Sequence, residues 1–218
     1  MDVTGAGLES LTMVRHGQSI ANAAPYSGAE EFVTGLRDAD VPLTELGEAQ
    51  ATATGKRLAE VDPGFDLVLC SPYLRTRETA RIALGHLTPP PVYFDERIRD
   101  REPGVLFGLT RLGIQRRFPD EYREMQRSGG FYHRPRGGES WPDVALRLRA
   151  VLREMHGHVL VFTHDIAIVL TRYIFGDLDE AEISAQTTAQ VRNASITRWE
   201  RDDSGMRLTS YNDTSHLG

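Results

Sequence analysis

Four short apolar runs most limit what this chain can fold into: "LTMV" (11–14), "FDLVLC" (65–70), "VYF" (92–94) and "HVLVF" (158–162). Each has the length of a strand, and two are apolar almost throughout, the pattern of strands covered on both faces. Helix-length stretches separate them. Thr44 can cap a helix from Glu45 to about Val61. A second runs from about Tyr73 to Leu84, and after Ser140 the residues Val144, Leu148, Val151, Leu152 and Met155 form one apolar stripe. "IAIVLTRYIF" (166–175) is apolar on most faces, and 194–211 reads as two strands about a turn at 202–205. "LTPPP" (87–91) is a loop, because consecutive prolines lack amide donors. The alternation predicts an α/β fold of three layers, α/β/α, around a mostly parallel sheet. One domain over 1–218 is expected, with 103–138 as an excursion over the sheet's edge and the site beside it.

Composition narrows the class. With 40% hydrophobic and 26% charged residues, 218 residues suffice for a single well-filled core. The net charge of -6 argues against nucleic acid as a partner, and the arginines between Arg97 and Arg153 are interleaved with acids. No apolar window reaches the ~18 residues of a membrane span, and "MDVTGAGLES" (1–10) lacks the basic start and apolar stretch of a leader. Cys70 is the only cysteine, so no intrachain disulfide can form, and its place at the end of an apolar run predicts a buried thiol. A cytoplasmic location is expected. Oligomeric state is not legible.

In open parallel sheets, ligands bind beyond the carboxyl ends of the strands. Polar groups gather at those ends here: His16 after the first run, Ser71 after the second, Asp100 closely after the third and His164 after the fourth. Arg15 offers a rigid fork of donors, Gly17 lets an anion approach the backbone, and Arg75 lies near a helix N-terminus. Two arginines and two histidines suit a phosphoryl dianion better than a carboxylate. A neutral His16, its second nitrogen bonded to backbone, could attack phosphorus while His164 and the arginines stabilise charge. "RIRDREPG" (97–104) supplies an acid for the leaving oxygen, either Asp100 or Glu102. No spacing matches a zinc motif, so neither metal nor cofactor is expected.

The ordered pieces "RHGQSIAN", "LTELGEAQA", "SPYLRTRETA", "IRDREPGVLFG", "GGES", "VFTHD" and "YNDTSHL" resemble the histidine phosphatase superfamily, the phosphoglycerate mutase-like group. The resemblance implies that His16 is the phosphorylated nucleophile and that Arg15, Arg75 and His164 complete the phosphate pocket. It also implies substrate contacts for Asn22 and Arg101, and a structural role for "LTELG". Asp100 stands where members carry a glutamate and is shorter by one methylene; Glu102 remains the alternative. Asp165 stands where a small residue is usual, either capping the next helix, the preferred reading, or raising the pKa of His164. In "GGFYHRPRGGES" (129–140), Arg134 could hold a second anionic group and Tyr132 could stack on a ring, while packing of Tyr132, His133, Arg134 and Arg136 against the sheet edge is equally open. The expected activity is hydrolysis of a small phosphorylated metabolite through a phosphohistidine. The alternative is a cofactor-dependent phosphoglycerate mutase, which shares the core residues, although 108–138 is unlike the mutase pattern. A non-catalytic phosphate-binding or interaction module is the third reading; such a protein would usually lose the nucleophile or the acid.

Overall fold

The computed structural model describes residues 7–24, 28–32, 35–61, 64–185 and 191–218. Residues 1–6 of the stretch considered for a leader lie outside them. Six strands form one sheet: β1 (Leu8–Arg15), β2 (Leu67–Cys70), β3 (Val92–Phe94), β4 (Gly157–Thr163), β5 (Ile196–Asp202) and β6 (Gly205–Asp213), in the order β3-β2-β4-β1-β5-β6. β1, β2, β3 and β4 pair in parallel. β5 runs antiparallel to β1, and β6 antiparallel to β5, making the expected two-stranded tail.

The continuous apolar runs are explained by cover on both faces. Side chains alternate across a strand, so Leu11, Met13, Val159 and Val161 face one core, while Val14, Leu160, Phe162, Val68 and Cys70 face another. Of the eight helices described, α1 (Ile20–Ala23) is a single turn. α2 (Glu45–Val61) and α3 (Leu74–Leu84) fill the second core through Leu58, Ala80, Ala83 and Leu84. α6 (Trp141–Leu152) and α7 (Asp165–Phe175) fill the first. The stripe from Val144 to Met155 is buried throughout. Its helix starts where Ser140 Oγ accepts from the Asp143 amide and Asp143 Oδ2 from the Ser140 amide, a reciprocal cap that satisfies two donors. Thr44 Oγ1 accepts from the Gly47 amide at the start of α2. Burial pushes the Cys70 thiol up to about 12, as an inert core side chain requires.

One cap differs from expectation. The residue capping α7 is His164, so Asp165 is the first helical residue. Its Oδ1 accepts from the Ile166 amide at 2.7 Å, and its Oδ2 lies 3.2 Å from Arg15 Nη2. The carboxylate thus sits in the first turn, where the helix dipole favours it, and faces the site as well.

The excursion contains a 3-10 turn (Gly104–Leu106), α4 (Arg111–Arg117) and α5 (Pro119–Tyr132), followed later by α8 (Glu180–Ala185) beyond α7. It is tied to 28–32 by backbone. The Phe32 amide donates to Gly108 O at 2.8 Å and the Thr110 amide to Glu30 O at 2.9 Å. α5 is broken at Gly129, φ 74°, which redirects the chain so that Phe131 enters the core beside Trp141 and Tyr173.

Candidate active site

The sheet register brings the two histidines together. Arg15 pairs with Thr163 across β1 and β4, so His16 and His164 leave the sheet side by side, with ring centroids 5.2 Å apart. The His16 amide donates to Thr163 O and the Ser71 amide to Phe162 O, both at 3.0 Å, which extends the ladder past the strand ends. The loop after β1 is then clamped by α2. The Thr44 amide donates to Gln18 O, and the Gln18 amide to Gln50 Oε1. A Cβ on Gly17 would lie 2.5 Å from Gly47 O, and the Gly17 amide is already given to Thr79 Oγ1 at 3.0 Å. Gly17 therefore serves the close approach of loop and helix; the expected open path for an anion to its amide is closed.

Beyond these strand ends lies a cavity of about 390 Å³, lined among others by Arg15, His16, Asn22, Asp38, Arg75, Asp100, Arg101 and Asp165. His16 Nδ1 lies 2.7 Å from Gly17 O, which fixes the proton on Nδ1 and leaves Nε2 with a free electron pair. Burial, then Arg75, Arg15 and His164, hold the His16 pKa well below its usual value, so the ring is neutral. His164 Nε2 lies 2.8 Å from Ser71 Oγ and 3.2 Å from Thr76 Oγ1, and its Nδ1 lies 3.3 Å from Asp100 Oδ2 without hydrogen-bond alignment. Burial lowers the His164 pKa against the opposing pull of Asp100.

Both arginines are buried and aimed. Arg15 donates through Nη1 to Val191 O, faces Asp165 through Nη2, and keeps a buried Nε with no partner among the described residues. Arg75 Nη1 donates to Asp38 O at 2.7 Å and Asp38 Oδ1 at 2.9 Å, while Nη2 donates to Asp100 Oδ2 at 2.9 Å. Burial works to raise the Asp100 pKa, but His164 and Arg75 hold it well below the usual carboxylate range. Asp38 goes the other way. Burial outweighs the pull of Arg75 and, with Asp100 and Glu102 adding repulsion, pushes its carboxyl up to about 6.

The loop carrying Asp100 is held from behind. Arg147 donates to Arg97 O at 2.7 Å, Arg99 O at 2.9 Å and Asp100 O at 2.9 Å, and pairs with Glu139. Glu139 also binds Arg99 and the Glu102 amide. Glu102 itself accepts from the Gly104 amide and does not line the cavity, whereas Asp100 does.

The model of the histidine phosphatase superfamily (branch 1) matches residues 11–214. The chain belongs to the histidine phosphatase superfamily. Among relatives of this superfamily member, a 2,3-bisphosphoglycerate-dependent phosphoglycerate mutase of Methylobacterium radiotolerans is 32% identical over 182 residues, 79% of this chain and 82% of that protein. Among solved structures, a mycobacterial glucosyl-3-phosphoglycerate phosphatase in complex with VO3 is 27% identical with a TM-score of 0.74, covering 94% of this chain and 100% of that one. Bacillus stearothermophilus YhfR is 25% identical with a TM-score of 0.76, covering 96% and 99%.

Within this superfamily fold, Arg15, His16, Arg75, Asp100, Asn22 and Arg101 line one cavity, and His164 is buried beside His16 without lining it. Arg134 does not join them: it pairs with Asp143 and lies outside the cavity lining. Arg136 stacks over Phe118, 5.8 Å from the ring centroid, and Tyr132 is 55% exposed. None of these three lines the cavity. His133 is buried 3.3 Å from a Glu121 oxygen. Sequence reasoning missed Asp38, which reads as one more charge in "LRDAD", and Arg147, which lies on the polar side of the α6 stripe. Among the described residues, no group of three or more His, Cys, Asp or Glu side chains could hold a metal, and no helix is long and apolar enough to cross a membrane.

Proposed function

We propose that this protein hydrolyses small phosphomonoesters through a phosphohistidine. The observation that carries the reading is the buried neutral His16, with Nδ1 tied to Gly17 O, in one cavity with Arg15 and Arg75. The phosphoryl oxygens would take the unpartnered Arg15 Nε and the Arg75 fork. His16 Nε2 attacks phosphorus, a P–N bond forms and the P–O bond to the leaving group breaks. Asp100 gives that oxygen a proton. Asp100, held well below the usual carboxylate range, is ionised before substrate binds, so the proton must arrive with the substrate. A phosphate monoester has a second pKa of about 6 and can bring it. Phosphoryl oxygens taking over Arg75 leave Asp100 beside new negative charge, which raises its proton affinity. Asp100, once deprotonated, accepts a proton from water as that water attacks phosphorus, and the P–N bond breaks. His164 steadies the equatorial oxygens.

The mutase name borne by the relatives favours a second reading, phosphoryl transfer between positions of a phosphoglycerate. That chemistry needs a cationic seat for a second phosphate. Among the described residues, Arg101 is the further cationic side chain lining the cavity beyond Arg15 and Arg75, and its Nε is already given to Glu139 O at 2.6 Å; the remaining lining is acidic, neutral polar or apolar. The deciding assay supplies 3-phosphoglycerate with 2,3-bisphosphoglycerate. Phosphate release outrunning isomerisation is expected, and the reverse overturns hydrolysis. Rapid quench should trap an acid-labile phosphoenzyme that His16→Asn abolishes. The single buried thiol suits the cytoplasm, where we place the activity.

A further inference from the structure

A second cavity of about 320 Å³ adjoins the first, and both are walled by Phe32, Arg101, Pro103, Phe107 and Trp141. Its far side is Leu106, Leu109, Ile114 and Met125. We infer that this annex seats the leaving group of the substrate and that the preferred substrates are phosphate esters of apolar alcohols, alkyl or aryl, without a second anionic group. The inference rests on the hydrolase reading and sharpens it to a substrate class.

Size, polarity and position support it. An apolar space of about 150 Å³ holds a benzene ring, so the annex has room for a ring or a medium alkyl chain. Its two polar lining side chains among the described residues, Arg101 and His133, are engaged. Arg101 donates to Glu139 O at 2.6 Å and reaches His133 O at 3.5 Å, and His133 Nε2 lies 3.3 Å from the Glu121 carboxylate. A sugar or glycerate placed there would lose its water without gaining matched partners, which costs binding. The arginines that could have served a second anion are turned elsewhere, Arg134 to Asp143 and Arg136 onto Phe118. The wall is also fixed in place: Phe32 and Phe107 flank the backbone bridge between 28–32 and 108–110.

Alkyl phosphonates test this without requiring turnover. Each buried methylene is worth roughly fourfold in affinity. Hexylphosphonate should therefore bind at least about tenfold more tightly than ethylphosphonate in calorimetric titration. Ile114→Asn, and separately Met125→Asn, both on the far wall and outside the first cavity, should erase most of that advantage while ethylphosphonate binding holds. Equal affinity for the two phosphonates overturns the inference while leaving hydrolysis standing. So does hydrolysis of glycerol 3-phosphate faster than of hexyl phosphate, whose alcohol leaves no more easily. If neither phosphonate nor inorganic phosphate binds, the phosphate pocket itself is refuted and the annex falls with it.

Discussion

On the floor of the cavity, Arg15 and His16 emerge from one of two paired strands, with His164 of the other buried beside them, and their spacing is set by sheet register. On the wall, Phe32, Phe107 and Trp141 come from three segments outside the sheet, joined by loop bonds and surface ion pairs. The floor is polar, buried and over-determined; the wall is apolar and tied at fewer points. In-line attack on phosphorus tolerates little displacement, because reacting groups must be held within a fraction of an ångström. Choice of leaving group tolerates more, since apolar contact is not directional. The two regions thus divide the work into chemistry that the sheet fixes and selection that loops can adjust.

The acid loop tests that division most severely, because Asp100 belongs to the floor by function but is carried on a loop. Arg147 supplies the rigidity that a strand would have given, bonding the carbonyls of Arg97, Arg99 and Asp100 behind it. Arg147→Met should lower kcat for an alkyl phosphate about 100-fold. KM should change little, and p-nitrophenyl phosphate, whose leaving group scarcely needs a proton, should lose much less. Equal losses on both esters would place Arg147 outside acid positioning and break the comparison. Steady-state kinetics on the two esters decides it.

How much could be read from the sequence follows the same line. His16, Ser71 and His164 were legible because each lies within two residues of the end of an apolar run, and a core rejects such groups unless they have a use. Four of the strands were legible as short apolar runs, α2 from its Thr44 cap and α6 from its apolar stripe. Asp38 and Arg147 were not, since a charge in a loop or on a helix's polar side looks solvated until its partners are known. Arg134 misled for the converse reason: beside glycines it looked available, but Asp143, which also caps α6, claims it. The wall was invisible because Phe32, Phe107 and Trp141 are spread over more than a hundred positions and carry no periodic mark.

A smaller effect is expected at Asp38, where the floor meets the entrance. Its carboxylate occupies Arg75 Nη1, a donor that a phosphoryl oxygen needs. The groups around it are Arg75, Tyr73, Asp100 and Glu102. With a carboxyl pushed up to about 6 by burial, Asp38 is neutral below that pH and competes least there. Rising pH ionises it and restores the competition, so kcat/KM should fall on the alkaline side of about 6. Asp38→Asn keeps an acceptor and the backbone bond to Arg75 but cannot ionise. The variant should exceed the parent about tenfold in kcat/KM at pH 7.5 and match it at pH 5. The ratio of variant to parent removes the substrate's own titration from the comparison. A ratio that stays flat with pH would show that Asp38 only buttresses Arg75.

The weakest effect should come from the ion pairs that clasp the wall from outside. Arg116 and Arg117 pair with Glu30, and Arg117 also with Glu31, across the same two segments that the backbone bridge joins. These side chains are substantially exposed, and exposed pairs contribute little once salt and side-chain entropy are counted. Thr110, by contrast, is buried, and donates its amide to Glu30 O and its hydroxyl to Ala29 O at 2.6 Å. If backbone and buried hydroxyl hold the wall, Arg116→Gln with Arg117→Gln should change the hexyl-over-ethyl phosphonate preference by less than about threefold. Raising the salt should do no more, whereas Thr110→Val should reduce the preference further than either. A tenfold loss in the double arginine variant, reproduced by salt in the parent, would mean that charge rather than hydrogen bonding sets the wall, and the leaving-group preference would then vary with ionic strength.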